Sequence, residues 1–334
     1  MRVSSSQVYR QVTDSLMRNL SEIIHLNTQV SSGKRINKPS DDAAGTARAL
    51  AYKVAIDAGE QYGKNAADAS NAIGFADNTL GSVSSALVRA KELAIQAANG
   101  TQNAASRAGI SREATQLRDQ LLALSNSRFG NGYVFSGFKT DVAAFDASFV
   151  YQGDAGTINV MVDRSVMIPR NVTGTEAFGY APPTESVVAL DGGHIAHYIP
   201  GAGTTVTVEI RAADDTTVLD SFQFDNAMRM TDLLTQALAG NDTTRISALM
   251  KPLDDAMEHV NDVRADLGAR LNRLDDQGNR LEDTKLATQT ALSGVEDADI
   301  ASTVSDIAKA NNALQALQAS SAKILSQSLL DFLR

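Results

Sequence analysis

The sequence predicts a mainly α-helical protein with a β-rich insert, and three observations predict it. Near both ends of the chain, and again from about residue 66 to 124 and 249 to 281, apolar residues recur at alternating steps of three and four. That spacing lines up one face of a helix or one seam of a coiled coil. Between these stretches, from 133 to 224, the chain becomes rich in Gly, Thr, Val and Asp, and the period changes to two.

The first helix is expected over about 5–31, where Val12, Leu16, Asn19, Ile23, Leu26 and Val30 form the seam and Ser32-Gly33 supplies a stop. Asn19 in that seam is either a partly exposed position or a buried polar residue that sets register. A basic connector, residues 34–39, leads to Ser40-Asp41-Asp42. Ser40 is a candidate cap, and the two carboxylates suit the positive end of the next helix. That helix extends to about Asn99-Gly100, with a possible interruption at Gly59 or Gly63, and its seam from Ala66 through Ile73, Leu80 and Leu87 to Ala97 is rich in alanine. A third helix is expected over about 104–128. In the insert, Ile158, Val160 and Val162 alternate, as do Val206, Val208 and Ile210, which predicts strands separated by Gly-rich turns. Heptads resume at Leu249, Leu253, Ala256, Val260, Val263 and Leu267, and a last apolar helix spans about 295–334.

A chain that leaves and returns through the same layers implies an antiparallel helical rod. Residues 1–38 with 296–334 form an inner terminal coiled-coil domain, 39–140 with 246–295 a helical shaft, and 141–245 a β-rich outer insert. The terminal seams have nothing of their own to sit against, which points to a subunit of an assembly. The expected assembly interface is Val12, Leu16, Ile23, Leu26 and Val30 with Ile307, Leu314, Leu325 and Leu329.

Thirty basic against 39 acidic residues, a net charge of -9, argue against whole-protein affinity for nucleic acid or anionic lipid. The ends are complementary: residues 1–40 carry six bases and two acids, residues 296–334 five acids and three bases. With no cysteine, disulfides and thiolate metal sites are excluded. The opening MRVSSSQVYRQV lacks the apolar core of a signal peptide, and no run matches a membrane span. His25, His194, His197 and His259 are too scattered for a shared metal site, and His194 and His197 read as exposed loop histidines. Asp163, Arg164, Glu185 and His194 show no catalytic spacing, the acid pairs read as solvated helix faces, and Glu296-Asp297-Ala298-Asp299 as a charged helix start or hinge. No enzyme activity and no cofactor are expected.

The run SSGKRINKPSDDAAG at 31–45, the run RADLGARLNRLDD at 264–276 and the whole of 295–334 resemble the ends of the bacterial flagellin family. MRVSSSQVY, GNGYVFSGFKTDVAAFD at 130–146, the segment 150–178 and the closing SLLDFLR are similar to those members that join hook to filament. The resemblance implies a structural adaptor that forms a ring with copies of itself, above a first hook-associated junction protein and beneath flagellin. It further implies an extracellular place in the flagellum, type III export without a cleaved signal peptide, and an export chaperone at the C-terminal region. A filament flagellin, a helical type III-secreted tip protein and an enzyme are the rivals.

Overall fold

The computed structural model describes the backbone of residues 2–182 and 184–332, and side chains at 7, 9–182 and 184–323. Seven α-helices and eight strands are found among them: α1 (Arg2–Ser32), α2 (Ala43–Ala98), α3 (Ala104–Ser125), β1 (Arg128–Phe129), β2 (Gly132–Tyr133), β3 (Asn159–Asp163), β4 (Val166–Pro169), α4 (Gly174–Phe178), β5 (Ser186–Ala189), β6 (Ile195–Pro200), β7 (Val206–Arg211), β8 (Val218–Phe224), α5 (Ala227–Ala239), α6 (Thr243–Glu296) and α7 (Ile300–Phe332). The architecture is mainly α with a small antiparallel β insert, as the periodicity predicts. The chain divides into two compact units, Met1–Glu60 with Leu281–Arg334, and Gln61–Arg280.

In the second unit, the alanine-rich seam of α2 is the spine of the core. Ile73, Leu80, Val83, Leu87 and Ala94 are fully enclosed, together with Leu121 of α3 and Leu249, Leu253 and Leu267 of α6. Leu117 is half-buried against the same cluster. Helices α2 and α6 run antiparallel here, linked by Asp77 to Arg264 at 2.9 Å, Ser84 to Asn261 at 3.3 Å and Lys91 to Asp254. The α2 partners stand seven residues apart, so polar rungs repeat with the heptad. Exposed pairs of this kind contribute about 0–1 kcal/mol each, too little to hold the helices and enough to fix their register. Gly59 and Gly63 do not interrupt α2, because packing overrides the weak propensity of single glycines.

The end of α2 is sealed by a buried guanidinium. Arg107 donates to the carbonyls of Ala97 at 2.7 Å and Asn99 at 3.3 Å, and to the Asn241 side chain at 2.8 Å. It places a positive charge on orphan carbonyls at the negative end of the helix dipole.

The insert holds two hairpins, β1–β2 and β3–β4, and a four-stranded sheet in the order β5-β6-β7-β8. Val206, Val208 and Ile210 of β7 face inward, as their alternation predicts. Phe135, Phe145 and Phe178 meet edge to face at the root of the insert, Phe178 lying 5.0 Å from Phe135 and 5.6 Å from Phe145 between ring centres. The sheet rests on α5 and the start of α6: Arg245 pairs with Asp220 of β8 at 2.6 Å, and the Tyr198 hydroxyl donates to the Ala248 carbonyl at 2.8 Å.

That last bond has a specific cause. Pro252 lies inside α6 and has no N–H, so the carbonyl four residues before it, Ala248, loses its helical partner. Tyr198, fully enclosed and with its phenol pushed up by burial, supplies the missing donor. Tyr198→Phe is expected to cost about 1–3 kcal/mol in chemical denaturation, the penalty of a buried carbonyl left alone. A loss within experimental error would show that water replaces the hydroxyl.

Two local expectations are corrected. The cap of α2 is Asp42, not Ser40: its Oδ1 accepts from the Gly45 amide at 2.7 Å. His197 is a buried residue of strand β6, not an exposed loop histidine, because the strand it sits on is paired on both sides.

Candidate assembly interface

The first unit is organised around the two connectors. Gly33, at φ +70°, stops α1 in a left-handed conformation that glycine adopts freely. The chain then pairs with the α6–α7 connector: the Arg35 amide donates to Glu296 O at 2.7 Å and the Ala298 amide to Gly33 O at 2.9 Å. The Glu296 side chain is buried between Lys34 at 2.8 Å and Lys53 at 2.9 Å. Burial pushes its carboxyl up, and the two ammonium groups more than offset this and hold it below the ordinary range. Lys285 meets Glu60 at 3.0 Å, continuing the antiparallel match of α2 and α6 within this unit.

Asp41 and Asp42 complete the knot. Asp41 accepts from the amides of Lys38 at 2.8 Å and Asn37 at 3.0 Å, bonds that hold its carboxyl low. The Asp42 carboxyl is lowered by the Gly45 amide and then by Arg35, whose guanidinium also donates to Val295 O at 2.9 Å. A Cβ on Gly45 would collide with the Asp42 carboxylate and the Ile36 side chain. The motif at 31–45 is thus a turn that fastens one helix pair to the next. Asp299 starts α7 by accepting from the amides of Ala301 at 3.0 Å and Ser302 at 3.2 Å, in keeping with the charged helix start or hinge expected there.

Because the knot joins the end of α1 to the start of α7, the two helices pack antiparallel on each other. This corrects the expectation that the terminal seams have nothing of their own to sit against. Ile23 and Ala310 are buried, and Val12, Leu16, Leu26, Val30, Ile307 and Leu314 are half-buried. Asn19 is also half-buried, lining an open groove with Leu26, Asp306, Lys309 and Ala310. Leu325 and Leu329 lie outside the residues whose side chains are described.

A second apolar stripe on α1 is left uncovered. Tyr9, Met17, Leu20 and Ile24 are 60%, 65%, 46% and 60% exposed. At 3.6 residues per turn this stripe is offset from the α7-facing seam by roughly 100° about the axis. Ile300 and Val304 of α7 and Leu50 and Val54 of α2 are exposed too. Sequence periodicity alone missed this face, and its signal was the doubled apolar pairs Leu16-Met17 and Ile23-Ile24, which widen the apolar arc beyond one seam.

The termini therefore consist of a helix pair whose apolar surface is only partly covered by its own chain. Among the described residues no cluster of three or more His, Asp or Glu could hold a metal ion. No helix among them is long and apolar enough to cross a membrane.

Residues 3–140 match the bacterial flagellin N-terminal helical region, and residues 250–333 match the bacterial flagellin C-terminal helical region. The chain is 30% identical over 318 residues to flagellar hook-associated protein 3 of Escherichia coli (strain K12), covering 95% of this chain and 94% of that one. This chain belongs to the bacterial flagellin family. It is also 29% identical over 326 residues to the flagellin of Bacillus subtilis (strain 168), covering 96% of this flagellin-family chain and 94% of the relative. The flagellar junction protein of Legionella pneumophila shares the fold, with a TM-score of 0.53 and 20% identity over 74% of this chain and 100% of that structure. The two matched regions leave out residues 141–249, so the family match rests on the helical ends.

Proposed function

We infer that this chain is a structural adaptor subunit of the bacterial flagellum, forming the junction between hook and filament on which flagellin assembles. The observation that carries the reading is the match to a hook-associated protein 3 along nearly the whole of both chains, insert included. The uncovered apolar faces of α1 and α7 support it, since surface of this kind is stabilised only against a neighbour.

In this reading, copies of the chain form a ring through their terminal helices, with Val12, Leu16, Ile23, Leu26, Val30, Ile307, Leu314, Leu325 and Leu329 as the interface with adjacent subunits. Residues 1–38 with 296–334 lie inside, 39–140 with 246–295 form the shaft and 141–245 the outer domain. The first hook-associated protein is below and flagellin above. Export through the flagellar type III channel, with a chaperone on the C-terminal region, keeps the apolar stripes from premature association. The chain carries out no catalysis.

Electron microscopy of a deletion strain tests the reading. Hooks without filaments, with flagellin monomers in the medium, are expected. Intact junctions bearing altered filaments would instead identify a filament flagellin, the alternative that the Bacillus subtilis likeness favours.

A further inference from the structure

His197 lies in the middle of β6, on the sheet face opposite the one that carries Tyr198, Val208 and Phe222. Its side chain is nonetheless buried, enclosed by charged groups from three elements. Nδ1 lies 2.6 Å from Glu185 Oε1 in the lead-in to β5, and Nε2 lies 2.5 Å from Asp215 Oδ1 in the β7–β8 turn. Across the ladder stands Glu209 of β7, held by Arg211 at 2.8 Å, and Arg211 also faces Asp215 at 3.8 Å. Asp214, the other acid of the turn, is occupied by the amides of Thr216 and Thr217.

An ionised carboxylate only accepts hydrogen bonds, so both ring nitrogens must carry hydrogen for both contacts to form. The imidazolium satisfies them, and either neutral tautomer turns one lone pair toward a carboxylate. We propose that His197 is a pH-sensitive clasp of the insert: charged, it ties the lead-in to β5 and the β7–β8 turn to the centre of the sheet, and neutral, it releases one of them. The turn it holds includes Asp215 at φ 56°, a left-handed conformation that aspartate and asparagine adopt more readily than most residues other than glycine.

The hydrogen bond that His197 donates to Glu185 is the chief cause that raises the His197 pKa, opposed by burial and then reinforced by Asp215, while Arg211 acts against it. A folded-state value above the unfolded one means that the clasp contributes fully below about pH 6.5 and fades as pH rises through the raised value. The clasp belongs to the fold of the insert, so its titration stands or falls independently of the adaptor role.

The test is a nitrogen-15 NMR titration of the full chain between about pH 6 and 9, the range over which a perturbed histidine changes charge. In parallel, amide exchange in 212–217 is followed and corrected for its intrinsic pH dependence. Expected are a His197 midpoint above about 6.5, both ring nitrogens protonated below it, and protection of the turn lost with the same midpoint. Glu185→Gln and Asp215→Asn should each lower the midpoint by about half a pH unit or more, asparagine being tolerated at a left-handed position. A wild-type midpoint at or below the ordinary value, a midpoint unmoved in both variants, or turn protection indifferent to the titration would overturn the proposal.

Discussion

Leu87→Ala is expected to lower the unfolding free energy by about 2–5 kcal/mol, the cost of a large-to-small change in a core that cannot collapse around the space. Leu87 is fully enclosed on the α2 seam, in the cluster that joins α2, α3, α5 and α6. Its neighbour Val88 is 42% exposed, so Val88→Ala provides an internal control that should stay within about 0.5 kcal/mol. Chemical denaturation of the purified chain measures both. If the two variants lose equal stability, α2 is not registered as described.

Leu20→Ser combined with Ile24→Ser should abolish motility while leaving the melting of the isolated chain nearly unchanged. Both side chains are exposed in the single chain, Leu20 at 46% and Ile24 at 60%, and serine there costs a few tenths of a kcal/mol in helix propensity. In a ring each would be covered by a neighbour, and full burial of a Leu or Ile contributes about 1.5–3 kcal/mol, lost at every interface because symmetry repeats every contact. Flagellin escaping into the medium is the second readout. Leu16→Ser with Leu26→Ser gives the contrast: these residues sit in the α1–α7 seam, so that pair should also weaken pairing within the chain, seen as faster amide exchange in 10–30. A Leu20 and Ile24 variant that swims normally would remove the outward stripe from the assembly surface.

Much of the core was legible from spacing. Ile73, Leu80, Val83, Leu87 and Ala94 were readable as a seam because a helix buried along one side must repeat its apolar residues at three and four. The strand at Val206, Val208 and Ile210 was readable for the corresponding reason at period two. The terminal interface was only half legible. Periodicity identifies which residues share a face, but not whether that face meets the same chain or another, and the α1 seam turned out to meet α7.

His197 shows the same limit from the polar side. Nothing in its sequence neighbourhood distinguishes it from His194, yet one is clamped between carboxylates 12 residues before and 18 residues after it, and the other is half-buried with its Nδ1 unpaired.

By itself, then, the sequence determined what local periodicity and composition encode: long helices, the β insert between them, the absence of cysteine chemistry, and the motif residues of the connectors. The antiparallel pairing of the chain's two ends followed from its layout, and only the tertiary structure decided which contacts join the partners and which faces they leave open. The Lys34–Glu296–Lys53 knot joins residues more than 240 positions apart and turns two apolar helices into one pair, leaving the Tyr9, Met17, Leu20 and Ile24 face to the solvent. Likewise Pro252 in α6 is explained by a hydroxyl on β6. The physical reason is common to both: hydrophobic burial is non-directional, so a pattern in one segment specifies that it must be covered, while the choice of cover depends on long-range polar contacts that only the folded chain brings together.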